Sequence, residues 1–311
     1  MLQSMKRRLV ALGPEHWALR ASLHLAAFRA GWRLSFTREE IRMRRGNRVL
    51  ALPSREYVSV PMMFSYSQLY FDTMVPRLEN GLEVWDYSRP DWHAYRRSGL
   101  EFYSPALPED DIFNSYTHWY TPAAGDVVWD AGAHAGVTSY YLAQLVGAAG
   151  KVYAFEPDSF NYSCLLRNVE RHKLTNVVPV QKALAGSTGT AEFQMIGTMA
   201  AGLRDYLGYP DSQEKYMEVA TLSLEDACSA YGVPNYIKMD IEGAEVSVLA
   251  ASLDFLRKHA IEFAIESHHL VDNRLTYLDL DQLFPQAGYE SESSLEYQLW
   301  YTWARPRKNP K

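Results

Sequence analysis

Only two cysteines, Cys164 and Cys228, occur among the 311 residues, which leaves no basis for a disulfide framework. Each lies in an apolar segment, so both are expected as buried, inert thiols in a reducing compartment. Long apolar runs are missing as well. Arg20, Arg29 and Arg33 interrupt the best candidate before it reaches the ~20 residues that a membrane helix requires. The start, MLQSMKRRLVALGPEHWALR, is basic, but its apolar piece is short and Pro14, Glu15 and His16 follow at once, unlike a signal peptide. Internal repeats and low-complexity tracts are absent, and basic charge is scarce beyond the first fifty residues. Those fifty hold eleven Lys and Arg against three Glu, a surplus of +8, so the remainder carries −14 of the net −6. Such a surface repels phosphate, which argues against a nucleic-acid partner.

What the chain has is apolar content: 47% of its side chains are hydrophobic, enough for a sizeable core in one large domain or a domain with an appendage. Residues 1–110 read as a basic helical arm, broken near Gly13 and Pro14, followed by an aromatic-rich cap. Trp17, Leu19, Leu23, Leu25, Phe28 and Trp32 among arginines suit either packing on the chain's own domain or peripheral contact of residues 1–35 with an anionic membrane face. Short strands are expected around Gly46 and Asn47, whereas residues 62–108 show no clear period.

Residues 111–311 form the second domain, where strand and helix patterns alternate. VVWDAGAHAG, KVYAFEP, NVVPVQKALAG, YIKMD and IEFAIE read as successive strands, with GTAEFQM and MEVATLSL as a less regular insertion. A helix over residues 275–284 and a closing hairpin from YESES and LWYTWARP complete the pattern. The helix after YIKMD is expected to bury Val246, Leu249, Ala250 and Leu253. This alternation implies an α/β fold with a doubly wound, mostly parallel sheet, and such sheets bind ligands beyond the carboxyl ends of their strands.

Those ends carry acids. Asp130 precedes the turn Gly132-Ala133-His134-Ala135-Gly136, whose glycines permit close approach of backbone to a ligand. The spacing D-x-G-x-x-x-G differs from the dinucleotide pattern G-x-G-x-x-G, and an acid at its head disfavours a pyrophosphate while suiting a cationic ligand. Glu156, next to Pro157, ends the second strand where a carboxylate can accept from both ribose hydroxyls. Helix capping would explain either acid alone; it explains both at successive strand ends less well.

Together VVWDAGAHAG, VYAFEPDSFNYSCLLRN and YIKMDIEGAEVSVL resemble the FkbM-type S-adenosylmethionine-dependent methyltransferases over roughly residues 112–304. The resemblance implies a class I methyltransferase, Rossmann-like fold with seven strands ordered 3-2-1-4-5-7-6, and methyl transfer to hydroxyl oxygen of sugars or natural products. It also implies S-adenosylmethionine as cofactor, with Asp130, Gly132 and Gly136 at its methionine end, Glu156 at its ribose, and His134 and Pro157 among the cofactor-binding residues. His134 stands where the family commonly has Asn. The segment before Asp126, with Tyr116 and His118, is expected to close over the cofactor.

For the acceptor, Asp240 at the end of the fourth strand is expected to orient or deprotonate a hydroxyl, with Glu242 supporting it. Glu245, in the first helical turn, serves either the site or the helix dipole. Beyond the fifth strand stand Glu266, His268 and His269. Adjacent residues of an extended segment point oppositely, and His268 is taken as the base. The same five groups, Asp240, Glu242, Glu266, His268 and His269, could gather a divalent metal, but they match no compact signature and no metal is expected. A nicotinamide-dependent dehydrogenase and a non-catalytic, membrane-tethered module are the competing readings. The expected setting is cytoplasmic, with peripheral contact at the inner face of a membrane. The expected partner is a small-molecule or glycan acceptor.

Overall fold

The computed structural model describes residues 15–105, 107–108, 113–194, 216–296 and 299–307. It divides into two compact units, Met1–Asp111 and Ile112–Lys311. The expected break at Gly13 and Pro14 lies outside the described residues, as do the first fourteen residues of the basic arm.

In the first unit, helix α1 (Trp17–Arg29) buries Leu19, Leu23 and Ala27 and leaves Trp17, Leu25 and Phe28 exposed. Strands β1 (Arg33–Phe36), β2 (Glu40–Arg45) and β3 (Arg48–Pro53) follow, the last two joined by a tight turn at Gly46 and Asn47. The aromatic stretch that lacked a period resolves into helix α2 (Val60–Thr73) and strands β4 (Arg77–Glu79), β5 (Leu82–Asp86), β6 (Asp91–Ala94) and β7 (Glu101–Ser104). The first five strands form one sheet, ordered β1-β2-β3-β5-β4, and β6 pairs with β7. Its aromatics are core: Trp32, Phe71, Trp85 and Tyr87 are all buried, and Phe71 packs on Trp85 at 4.4 Å between ring centres.

The second unit opens with the short helix α3 (Phe113–Tyr116) and then alternates. Strand β8 (Val127–Ala131) leads to helix α4 (Val137–Val146), and β9 (Lys151–Phe155) to helix α5 (Ser159–Arg171), which Asp158 caps by accepting from the Phe160 and Asn161 amides. After β10 (Val177–Val180) a side sheet is built from β11 (Ala183–Leu184), β12 (Gly189–Gln194) and β13 (Tyr216–Leu222). Helix α6 (Leu224–Tyr231), β14 (Tyr236–Met239), helix α7 (Glu245–Ala251), helix α8 (Leu253–Leu256) and β15 (Glu262–Glu266) come next. A small ladder of β16 (Leu270–Val271) and β17 (Arg274–Leu275), helix α9 (Tyr277–Gln286), and the hairpin β18 (Tyr289–Glu296) and β19 (Leu299–Pro306) close the chain.

Across the main sheet the order is β10-β9-β8-β14-β15-β19-β18. The first five are parallel and β19 runs antiparallel to both β15 and β18, so the sheet is mixed. Alternation along each strand feeds two cores. Trp129, Ile237, Met239, Phe263 and Ile265 face one side with Val248, Leu249 and Phe284, whereas Val128, Tyr236 and Ala264 face the other with Leu142, Leu165 and Trp303. Each fully buried large side chain contributes about 1.5–3 kcal/mol. Cys164 and Cys228 are buried free thiols. The helix after β14 corrects the expected phase: Glu245, Val248 and Leu249 turn inward, Val246 is half-buried and Ala250 exposed. A buried glutamate occupies a position that an apolar pattern search would reject.

Candidate active site

Reversal of chain order at β8 and β14 puts the ends of these neighbours at the centre of the sheet, where ligands of doubly wound folds lie. Here the Asp240 amide donates to the Ala131 carbonyl at 3.0 Å. Gly132 follows with φ +78°, and a Cβ on it would fall 1.7 Å from the Asp240 carbonyl oxygen. No other residue fits where two strand ends approach so closely. Four residues on, Gly136 has φ +86° and opens α4, with space for a Cβ taken by Leu165 of α5 at 2.5 Å. Asn168 of α5 donates its side-chain amide to Ala135 O at 2.7 Å. The turn is thus clamped from both sides.

Asp130 does not face open space. It is fully buried, 3.1 Å from the Lys238 ammonium and accepting from Ser139 Oγ at 2.6 Å. Lys238 stands directly opposite it in the β8–β14 register and also donates to the Gly132 carbonyl at 2.7 Å. The acid expected to meet a cationic ligand is already neutralised by a lysine and fixes the glycine turn instead.

Glu156, at the end of β9, is buried and accepts from two amides: His134 N–H to Oε2 at 2.8 Å and Asp158 N–H to Oε1 at 2.9 Å. Burial, opposed by His134, raises its carboxyl to about 7. His134 itself is buried in the left-handed region at φ +47°, so its backbone serves Glu156. Pro157 is half-buried between Glu156 and the capping Asp158. Each Glu156 oxygen accepts one amide and keeps a lone pair for a further donor.

Past β14 the chain turns sharply, with Glu242 at φ +57° and Gly243 at φ +103°. Glu245 is fully buried and accepts the Ile241 amide at 3.0 Å, which closes this turn. It also lies 3.1 Å from Nδ1 of His269. The opposite ring nitrogen, Nε2, sits 3.5 Å from Asp240 Oδ1 and 3.6 Å from Glu242 Oε2. His269 is 8% exposed. Burial would lower its pKa, yet Glu245 first and then Glu242 and Asp240 hold it well above the ordinary imidazole value. Burial raises the Asp240 carboxyl, with Glu266 adding to the effect and Lys238 opposing it; burial also raises Glu242, against His269.

His268 packs beside His269, 4.5 Å between ring centres, but meets a different acid. It is half-exposed, with Nδ1 3.1 Å from Glu266 Oε1. Glu266 in turn accepts the Tyr116 hydroxyl at 2.9 Å. Burial would raise the Glu266 carboxyl, but His268 and Tyr116 bring it below the usual carboxylate value. Tyr116 is fixed by the Tyr236 hydroxyl, which donates to its carbonyl at 2.5 Å, and its ring lies 5.5 Å from the Lys238 ammonium. His118 is exposed and packs on Trp303, 4.6 Å between ring centres. The structure therefore gathers Asp240, Glu242, Glu266, His268 and His269 at neighbouring strand ends, divided into two groups. Lys238, Ser139 and Asn168 were not among the expected site residues. Lys238 had a signal, since a lysine inside the apolar strand YIKM must find a buried acid.

These features define the class: a doubly wound α/β protein with acidic groups at the central carboxyl ends of its sheet. Residues 130–291, more than half the chain, match the methyltransferase FkbM domain, and the chain belongs to that family. It is 29% identical over 170 residues to the hexuronic acid methyltransferase AglP of Haloferax volcanii, covering 54% of this chain and 64% of that protein. A solved methyltransferase FkbM from Methylobacillus flagellatus KT aligns with 16% identity and a TM-score of 0.44, covering 61% of this chain and 47% of that one. A SAM-dependent methyltransferase from Aquifex aeolicus aligns with 15% identity and a TM-score of 0.36, covering 60% and 84%.

Proposed function

We propose that this protein is an O-methyltransferase that transfers a methyl group from S-adenosylmethionine to a hydroxyl of a sugar, glycan or natural-product acceptor. One observation carries the reading: Glu156 with spare lone pairs, the glycine turn, and the Asp240 and His268 groups all occupy carboxyl ends of adjacent strands β9, β8, β14 and β15. The cofactor is S-adenosylmethionine, and the residues fit it. The free acceptor positions of Glu156 suit the two ribose hydroxyls, and the glycine turn that opens α4 lies at the same strand ends beside Asp240.

When bound, S-adenosylmethionine supplies a methyl group on a positively charged sulfur. In-line displacement requires the acceptor oxygen to be aligned, kept from water and relieved of its proton. Asp240 orients the acceptor hydroxyl. His268 takes the proton, and Glu266, 3.1 Å from its Nδ1, stabilises the imidazolium that forms. Tyr116 keeps Glu266 in place through its hydroxyl.

AglP is named for hexuronic acid, so sugars, hexuronic acids among them, head the acceptors to test. Calorimetric titration with S-adenosylmethionine, followed by transfer of labelled methyl to a panel of glycans and mass spectrometry of the product, tests the reading. Absence of cofactor binding by the folded protein, or binding unchanged in Glu156→Ala, would sink it.

A further inference from the structure

We infer that Asp240, Glu242 and His269 form a binding site for a divalent cation. One donor atom from each, a carboxylate oxygen from the two acids and Nε2 from the histidine, lie within 4.8 Å of one another. Ligands at about 2.1 Å from a cation, at right angles, are about 3 Å apart, so the separations of 3.5 and 3.6 Å from Nε2 need only a small contraction. Mixed carboxylate and imidazole donors suit cations such as Mn²⁺.

The histidine supplies the independent observation. It is more than nine-tenths buried, and its Nε2 makes no hydrogen bond: both carboxylate oxygens stand beyond the 2.7–3.2 Å range typical of N–H···O bonds. Its other nitrogen lies 3.1 Å from the fully buried Glu245, which sets the ring with its Nε2 edge toward Asp240 and Glu242, where a bound cation would take the place of the Nε2 proton. A carboxylate behind a histidine whose far nitrogen faces two more oxygens is the arrangement that orients metal-ligating imidazoles. Glu242 reaches this position from a left-handed backbone at φ +57°, a conformation costly for glutamate that brings its carboxylate back over the strand end. Asp240 and Glu242 remain 30% and 23% exposed, so a cation can enter from solvent and keep open positions. On the methyl-transfer reading, an acceptor hydroxyl fills one of those positions and loses its proton more readily; the cation site itself does not depend on that reading.

The test uses the full chain, stripped with chelator and titrated with Mn²⁺ alone, free Mn²⁺ being followed by electron paramagnetic resonance. One site per chain is expected. Asp240→Asn and His269→Gln lower its affinity at least tenfold, Glu245→Gln lowers it about 10–100-fold through loss of the histidine's orientation, and Asp254→Asn, at an exposed acid of α8, leaves it within twofold. Circular dichroism checks folding, and Asp240→Asn, at a partly exposed residue, keeps the test alive should a buried variant unfold. No bound Mn²⁺ on folded protein up to about 1 mM, or equal affinity in Asp240→Asn and wild type, overturns the site. Occupancy is read without cofactor or acceptor, so its failure leaves the methyl-transfer reading standing, and the reverse holds.

Discussion

Cofactor affinity should rise with pH, and Glu156 is the reason. In the protein alone its carboxyl titrates at about 7, because burial outweighs the two amides it accepts. On the proposed reading a ribose diol donates to both oxygens and a cationic ligand brings positive charge, so both favour the ionised form. If only that form binds, the apparent Kd contains the fraction of protein still protonated, and it falls about tenfold from pH 6 to pH 8. Near pH 7 about half a proton is released per cofactor bound, seen calorimetrically as a heat that changes with the buffer's ionisation enthalpy. Stability has the matching sign. The folded pKa lies above the ordinary 4.5, so the Glu156 contribution is complete below about 4.5 and is lost as pH rises through about 7. The rise in melting temperature on adding cofactor should accordingly be larger at pH 8 than at pH 6. Glu156→Gln flattens the pH dependence and weakens binding about 10–100-fold at pH 8, since a charge-assisted bond is worth about 1.5–3 kcal/mol. Equal wild-type affinities at pH 6 and pH 8 with no buffer-dependent heat would refute this reasoning.

Three further outcomes are expected. Gly132→Ala must push the Asp240 carbonyl away from a Cβ placed 1.7 Å from it, and should lower the melting temperature by more than about 5 °C; an unchanged melting curve would show that the two strand ends do not meet in this way. Lys238→Met leaves the Asp130 carboxylate buried without its cation and should cost about 3–5 kcal/mol in urea denaturation, with the double variant Lys238→Met, Asp130→Asn recovering much of it. His268→Ala should lower kcat about 10²–10⁴-fold in single-turnover methyl transfer while KM changes little; a loss confined to KM would remove His268 as the base.

The sheet was legible because its strands are apolar runs that end in turn residues or acids, and because helical spacing recurs between them. Residues 62–108 were not, since Trp, Tyr and Phe serve strands and helices alike there and bury themselves without a steady period. Within the site, residue types were readable and partners were not. Asp130 looked like a ligand group because Lys238, its neighbour in space, lies 108 positions away. His268 and His269 were expected to point oppositely, but both lie past the end of β15 and their rings stay together, 4.5 Å between centres, so which one meets Asp240 depends on Glu245, a residue read equally well as a helix-start acid.

The acids at the strand ends separate by what already neutralises them. Asp130 has a lysine, Glu266 has His268 and Tyr116, and Glu245 has the Nδ1 side of His269 along with an amide. Glu156 has two amides and the nearby His134, and Asp240 and Glu242 share one imidazole edge at more than hydrogen-bonding distance. Burial raises all three of these carboxyls, so a cation placed beside them would favour their ionised forms. Positive charge is therefore wanted in two places, beside Glu156 and between Asp240 and Glu242. A cationic cofactor answers the first, whereas the second, with an oriented imidazole aimed into it, calls for a cation of its own.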